Sequence, residues 1–366
     1  MSKKRKDGRL ATSFTWNGKR YYVYGRTRQE LFEKEAARRR ALEEKQARRT
    51  DPTVQQFFDG WIEGKRGTIK ESSIRLYKII FQRVEDVPLG TGLSFKDMKI
   101  AEITPADVRQ VRSALVSSGL KTSTVNSSIR TLKTMFDAAY REQVITFNPF
   151  VTLPRLKRAE IPARDSYHRD LTDAELKLFF DAVKDSYYLN LYRLALYTGM
   201  RFGELTALSY EDVKADAIIV EKSLTRSESG KAIIGDGAKT PSGIRSIPLT
   251  PLLREIIDAQ KEQNAALFGG KVPHGLLFPS FNGCLLEQPG PNAEIRRVCD
   301  KLGIEHFTFH AFRDTFATMA ANRWGFEPLV LKEILGHKDI SITMNLYARS
   351  TNDRRLDAMQ RVSSPF

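Results

Sequence analysis

A histidine and an arginine three residues apart at the start of a helix form a pair suited to holding a phosphate. Thr308-Phe-His310-Ala-Phe-Arg313 has that spacing. Thr308 is placed to cap a helix on which His310 and Arg313 share one face near the positive end, while Phe312 and Phe316 turn to the core. Four further groups of the same chemical kind stand in recognisable local settings. Arg201 follows the glycine break Thr198-Gly199-Met200, with Glu204 three residues beyond it. Lys239 lies on a turn between two strand-like runs, in Lys239-Thr-Pro-Ser-Gly-Ile-Arg245. Pro328 opens a short helix whose Leu331, Ile334 and Leu335 pack inward, and Gly336 closes it so that His337 projects from its end. Tyr347 comes ten residues later, on an amphipathic stretch with Ile340 and Met344. Taken singly, each is an ordinary cap, surface charge or core residue, so the weight falls on their order and local context.

In that order the residues resemble the tyrosine recombinases, the integrase family of phages and mobile elements. The family pattern is an Arg after a Thr-Gly-x turn, a Lys on a β-hairpin, His-x-x-Arg, Leu-Gly-His, and a Tyr about ten residues on. Arg201, Lys239, His310, Arg313, His337 within Leu335-Gly336-His337, and Tyr347 match it. Phe312 stands where the family usually has Leu, and Asp314 where it often has His. The resemblance implies transesterification at a DNA phosphodiester, with Tyr347 as nucleophile, a 3′-phosphotyrosyl intermediate and a free 5′-hydroxyl. Because the phenolate is a good leaving group in the reverse step, neither ATP nor a metal is implied, and no cofactor. Arg201 and Arg313 would hold the non-bridging oxygens with bidentate forks, and His337 would donate another hydrogen bond. Lys239 would protonate the departing 5′-oxygen, His310 would take the tyrosine proton or orient the phosphate, and Glu204 would orient the basic groups. The implied partners are double-stranded DNA at core and accessory arm sites, and a homotetramer on two paired duplexes. A small excision or directionality factor and host DNA-bending proteins are also expected. A charged tail with Leu356, Met359 and Val362 at three-residue spacing is a docking element for a neighbouring subunit or for its own domain.

The rest of the composition narrows the field. Lys plus Arg exceed Asp plus Glu by 59 to 44, a net charge of +15, which favours a polyanionic partner. The apolar fraction of 41% rules out a wholly disordered basic protein. Two cysteines cannot build a disulfide framework or a four-thiolate zinc site, so a reducing cytoplasm is expected, and the resemblance implies a bacterial cell with its nucleoid. No apolar run approaches the roughly 18 residues of a membrane span. The nearest approach to a nucleotide-binding loop, Gly237-Ala-Lys239-Thr240, lacks the glycine beside the lysine, and neither His-Glu-x-x-His nor Gly-x-Ser-x-Gly occurs. Besides the recombinase, a type IB topoisomerase-like relaxing enzyme and a non-catalytic DNA-binding regulator fit the charge. Scattered carboxylates leave a two-metal nuclease as a minor alternative. The separate basic N-terminal module argues against the topoisomerase, and the intact set of six residues argues against the regulator.

Three domains must position these groups: a mainly α protein with small β-sheets. Residues 1–50 carry 16 Lys/Arg against 6 Asp/Glu, so ten of the fifteen excess charges sit there. Thr12–Trp16 and Arg20–Tyr24 flank Asn17-Gly18-Lys19, a strong hairpin signal, and Thr27-x-x-Glu30 opens a helix to about Arg49. The folded hairpin favours a DNA-binding module over a solvated basic linker helix, and the resemblance implies that it is the arm-type one. Residues 51–150 read as four or five helices, with Thr104-Pro105-Ala-Asp107 starting one and Gly119 ending it, and the resemblance implies that they are the SAM-like core-binding domain. Residues 151–167, with two prolines and little periodicity, read as a linker. Residues 168–366 form the catalytic domain, helical apart from strand-like runs at Ile218–Glu221, Ala232–Ile234 and Arg245–Pro248. Arg20, Arg26, Lys65, Arg66, Arg130 and Lys133 are the expected DNA contacts outside the catalytic set.

Overall fold

The computed structural model describes residues 3–4, 10–16, 19–47, 51–157, 169–236 and 244–347. The chain divides into two compact units, 1–159 and 160–366. In the first, strands β1 (Lys3–Lys4), β2 (Leu10–Trp16) and β3 (Lys19–Gly25) form an antiparallel sheet in sequence order, and helix α1 (Arg28–Ala47) follows. The β2–β3 register pairs Trp16 with Lys19 across the Asn17-Gly18 position. Alternation along the strands puts Phe14 and Val23 inward against Leu31 of α1, the buried core of this module. The same alternation leaves Arg20 and Tyr22 outward. The expected Thr27–Glu30 cap forms in a modified way. Thr27 Oγ1 accepts from the Glu30 amide, and the Glu30 carboxylate reaches back past the cap to accept from the amide of Arg26.

Four helices follow: α2 (Val54–Glu63), α3 (Glu71–Gln82), α4 (Pro105–Ser117) and α5 (Thr122–Arg141). Capping boxes start two of them, Thr53 with Gln56 and Thr104 with Asp107. Their apolar faces meet in one core in which the Phe58 and Phe81 rings stack with centroids 4.0 Å apart. Part of the stretch read as linker joins this core. Leu153 and Leu156 pack against it, the Asn126 side chain exchanges two 3.0 Å hydrogen bonds with the Leu156 backbone, and Arg112 donates to Pro154 O at 3.2 Å. Residues 151–157 are therefore fastened to α4 and α5, and the remainder of the linker lies outside the described residues.

The second unit opens with α6 (Asp173–Ala182), capped by Thr172 and Glu175 as its sequence requires. Then come α7 (Leu189–Thr198), α8 (Phe202–Thr206), strands β4 (Ala217–Val220), β5 (Lys222–Arg226), β6 (Ala232–Asp236) and β7 (Arg245–Pro248), and helices α9 (Pro251–Phe268) and α10 (Pro289–Leu302). The unit's described part closes with α11 (His310–Asn322), α12 (Pro328–Leu335) and α13 (Ile340–Tyr347). The strands pair as two antiparallel ribbons, β4 with β7 and β5 with β6. The strands on either side of Lys239, β6 and β7, are thus not partners of each other.

Phe312, the family's usual Leu, is fully buried, its ring 5.5–5.8 Å from those of Phe179, Tyr192, Phe307 and Phe309. The larger side chain is matched by an aromatic cluster around it, and its truncation to Ala would cost about 3–5 kcal/mol. No helix among the described residues is long and apolar enough to cross a membrane.

Candidate active site

Arg201 is the N-cap of α8, and the local sequence fixes it from both sides. Gly199 ends α7 in the left-handed conformation (φ 63°), and a Cβ there would lie 2.5 Å from the Phe316 ring. Only glycine satisfies both demands. One turn later Glu204 closes a box on Arg201, accepting from its amide and from Nη1, each at 2.9 Å. The Arg201 side chain remains 45% exposed while Glu204 is buried.

Glu204 has a second cationic partner that the sequence did not mark. Arg245, at the start of β7, donates from Nη2 and Nη1 to its two carboxylate oxygens at 2.7 and 3.2 Å. Burial opposes ionisation of Glu204. The hydrogen bonds and charge of Arg245, followed by those of Arg201, outweigh it and hold the carboxyl at about 2. The available signal was periodicity, since Arg245 shares the buried phase of its strand with Ile247.

His310 and Arg313 lie on the first turn of α11, as their spacing required. Thr308 does not cap that helix through its side chain. Its carbonyl accepts from the Ala311 amide, and Asn292 of α10 takes the Phe309 amide at 2.9 Å instead. Phe309 in the cap position has no acceptor of its own, so the neighbouring helix supplies one. Arg313 is buried, donating from Nη1 to Gly199 O at 2.6 Å and from Nη2 to Leu335 O at 2.8 Å. Burial first, then the neighbouring Arg201, pushes its guanidinium down to about 9, still charged at neutral pH.

Gly336 closes α12 in the left-handed conformation (φ 65°), and the His337 amide returns to Lys332 O. The imidazole is half-buried, with Nδ1 3.0 Å from the hydroxyl of the fully buried Thr343 of α13, another residue the sequence did not single out. Burial, and after it the charges of Arg313, Arg201, Arg245 and His310, lower its pKa to about 4. Arg201, His310, Arg313 and His337, read from separate stretches of sequence, therefore act on one another at one place.

Tyr347 ends α13, its ring against the Phe316, Leu331 and Leu335 cluster and its hydroxyl donating to Phe326 O at 2.5 Å. Lys239 lies outside the described residues.

In the first unit, Arg130 and Lys133 line a concavity of about 170 Å³ together with Arg112 and Arg155. The last two were not expected, and Arg155 is there because residues 153–157 are fastened to α4 and α5. Lys65 lines a different concavity, with its ammonium 5.2 Å from the Trp61 ring, and Arg66 pairs with Glu63. Arg20 is exposed and donates to Ser13 Oγ at 3.1 Å, and Arg26 contributes its amide to the start of α1.

Comparison with known proteins identifies the family and the fold. The sequence profile of the phage integrase family matches residues 169–354, and that of the phage integrase N-terminal SAM-like domain matches 53–116. A tyrosine recombinase XerC-like protein of Caldanaerobacter subterraneus is 26% identical over 293 residues, 74% of this chain and 73% of its own. The Tn1549 transposon integrase in complex with transposon right-end DNA superposes with a TM-score of 0.68 at 25% identity, covering 85% of this chain and all of that one. A lambda integrase in a tetramer bound to a Holliday junction shares the fold with a TM-score of 0.59 at 21% identity, over 93% of this chain and 96% of its own. The chain belongs to the phage integrase family, the site-specific tyrosine recombinases that cut and exchange DNA strands.

Proposed function

We propose that this recombinase integrates and excises a mobile element by means of Arg201, Lys239, His310, Arg313, His337 and Tyr347. The observation that carries the assignment is the grouping of Arg313, Arg201 and His310 around His337, an imidazole that its burial first and then these charges keep neutral near pH 7. Three cationic or potentially cationic groups facing one imidazole make a site for an anion, and a scissile phosphate is the anion this family cuts. The phenol oxygen of Tyr347 forms the bond to phosphorus as the bond to the 5′-oxygen breaks. His310 takes the phenol proton, and Lys239 gives a proton to the departing 5′-oxygen, which leaves as the 5′-hydroxyl. Charge growing on the non-bridging oxygens is met by Arg201 and by the Arg313 N–H groups that the two carbonyls leave over. A neutral His337 has one N–H. In the tautomer whose Nδ1 accepts from the Thr343 hydroxyl, that proton sits on Nε2 and is available to the phosphate. Before attack, the Tyr347 hydroxyl must leave Phe326 O.

The cationic concavity of Arg112, Arg130, Lys133 and Arg155 would grip the core-site backbone, and the N-terminal sheet with Arg20 an accessory site. Four protomers on two duplexes would complete the reaction in the bacterial cytoplasm, as the lambda tetramer on its junction illustrates for that protein.

A nicked suicide duplex carrying the element's junction tests this reading. A covalent adduct that joins to a second duplex supports it. An adduct that joins no second duplex, with relaxation of a supercoiled plasmid in a parallel assay, supports a topoisomerase, and binding with no adduct a regulator.

A further inference from the structure

Arg245 has no place in the chemistry above, and with its side chain only 6% exposed it does not lie against DNA. Its three nitrogens are nonetheless each committed. Two hold the Glu204 carboxylate, and Nε donates to Ile334 O at 2.6 Å. That carbonyl is the next-to-last of α12, and the last, Leu335 O, is taken by Arg313. Two guanidiniums, from β7 and from α11, thus cap the negative end of the helix that delivers His337. Gly336, between that end and His337, lies against Arg245, since a Cβ there would be 3.1 Å from Nη1. On the far side Glu204 holds Arg201.

We infer that Arg245 is a positioning residue for the phosphate clamp, locking Arg201, through Glu204, to the turn that carries His337. The inference rests on the proposed use of Arg201 and His337 at the scissile phosphate. A planar fork can serve two carboxylate oxygens and a carbonyl together. A lysine at this position keeps the charge beside Glu204 but cannot span all three acceptors.

The full chain carrying Arg245→Lys or Arg245→Gln is tested by single-turnover cleavage of the nicked suicide duplex, with DNA affinity measured alongside. A second duplex has a methylphosphonate at the scissile position, which removes the charge the clamp must meet. Misplacing reacting groups by an ångström costs on the order of 100-fold, so Arg245→Lys should cleave the phosphate roughly 100-fold more slowly with affinity within about twofold. Its deficit should shrink at least about tenfold on the uncharged substrate, where guanidinium placement matters less. Cleavage within about threefold of the parent overturns the inference, because misplacement by an ångström should cost far more. Equal loss on both substrates also overturns it, and a variant that unfolds gives that result. If the parent chain itself forms no adduct, the reading of the reaction fails rather than the role of Arg245.

Discussion

The two basic regions of this protein use their cations in opposite ways. Around Glu204 and His337, Arg245 and Arg313 are buried and each donates to two or more identified acceptors. In the N-terminal module Arg20 and Tyr22 stand outward on a sheet whose buried core is Phe14, Val23 and Leu31. The first fifty residues hold 16 Lys/Arg against 6 Asp/Glu, and the rest of the chain holds the remaining five of the excess charges. A charge withdrawn from water acts strongly over a short distance and in a fixed direction, whereas an exposed one is screened beyond about 8–10 Å. On the proposed function the buried set serves geometry at one phosphate, and the exposed set affinity along a backbone. Net charge locates the second kind of site and is nearly blind to the first.

The largest effect expected from breaking this division is at the nucleophile. Tyr347→Phe should bind DNA as the parent does and form no covalent adduct on a denaturing gel, because it removes one oxygen and leaves every cation in place. Adduct formation by that variant would move the nucleophile elsewhere. Next comes Arg201→Lys, which keeps the charge but not the fork. Losing one oriented donor to a developing oxyanion costs roughly 10²–10³ in rate, so cleavage should fall by about that factor with little change in affinity. Near-normal recombination by Arg201→Lys would mean that charge alone suffices, and the contrast between fixed and exposed cations would lose its basis.

The sequence was most informative where one residue type has one local use. Gly199 and Gly336 were marked as breaks and both adopt the left-handed conformation. Thr104 with Asp107 and Thr172 with Glu175 form the boxes their spacing required. It was least informative where a partner comes from far along the chain. Asn292 in place of Thr308 at the start of α11, Arg245 reaching Glu204 across 41 positions, and Thr343 beside His337 are all fixed by packing. No periodicity within a single segment encodes such a choice. The same holds for Arg155, which composition put in a linker and which hydrogen bonds from Asn126 and Arg112 nearby set beside Arg130 and Lys133.

The buried set should also show itself in acid. Glu204 is held at about 2, below its ordinary 4.5, so it favours the folded state at any pH above about 4.5. That contribution, on the order of 3 kcal/mol, should be lost as pH falls from about 4.5 toward 2, because protonation then becomes easier in the unfolded chain. Stability measured over that range should fall less steeply in Glu204→Gln, which has no proton to gain. An identical slope in both proteins would show that Glu204 is not the group being titrated.

The smallest expected effect on chemistry sharpens the comparison most. Removing residues 1–50 discards ten of the fifteen excess charges and none of the six proposed catalytic side chains. Cleavage of a core-site suicide duplex should stay within about twofold of the parent, since exposed charges are screened by salt and every buried donor remains in place. Affinity for DNA bearing an accessory site should fall, and its dependence on salt should become shallower, because binding then neutralises fewer phosphates and releases fewer counterions. If cleavage fell instead while the salt slope held, the N-terminal charge would be serving the catalytic centre, and buried geometry could not be separated from exposed affinity in this chain.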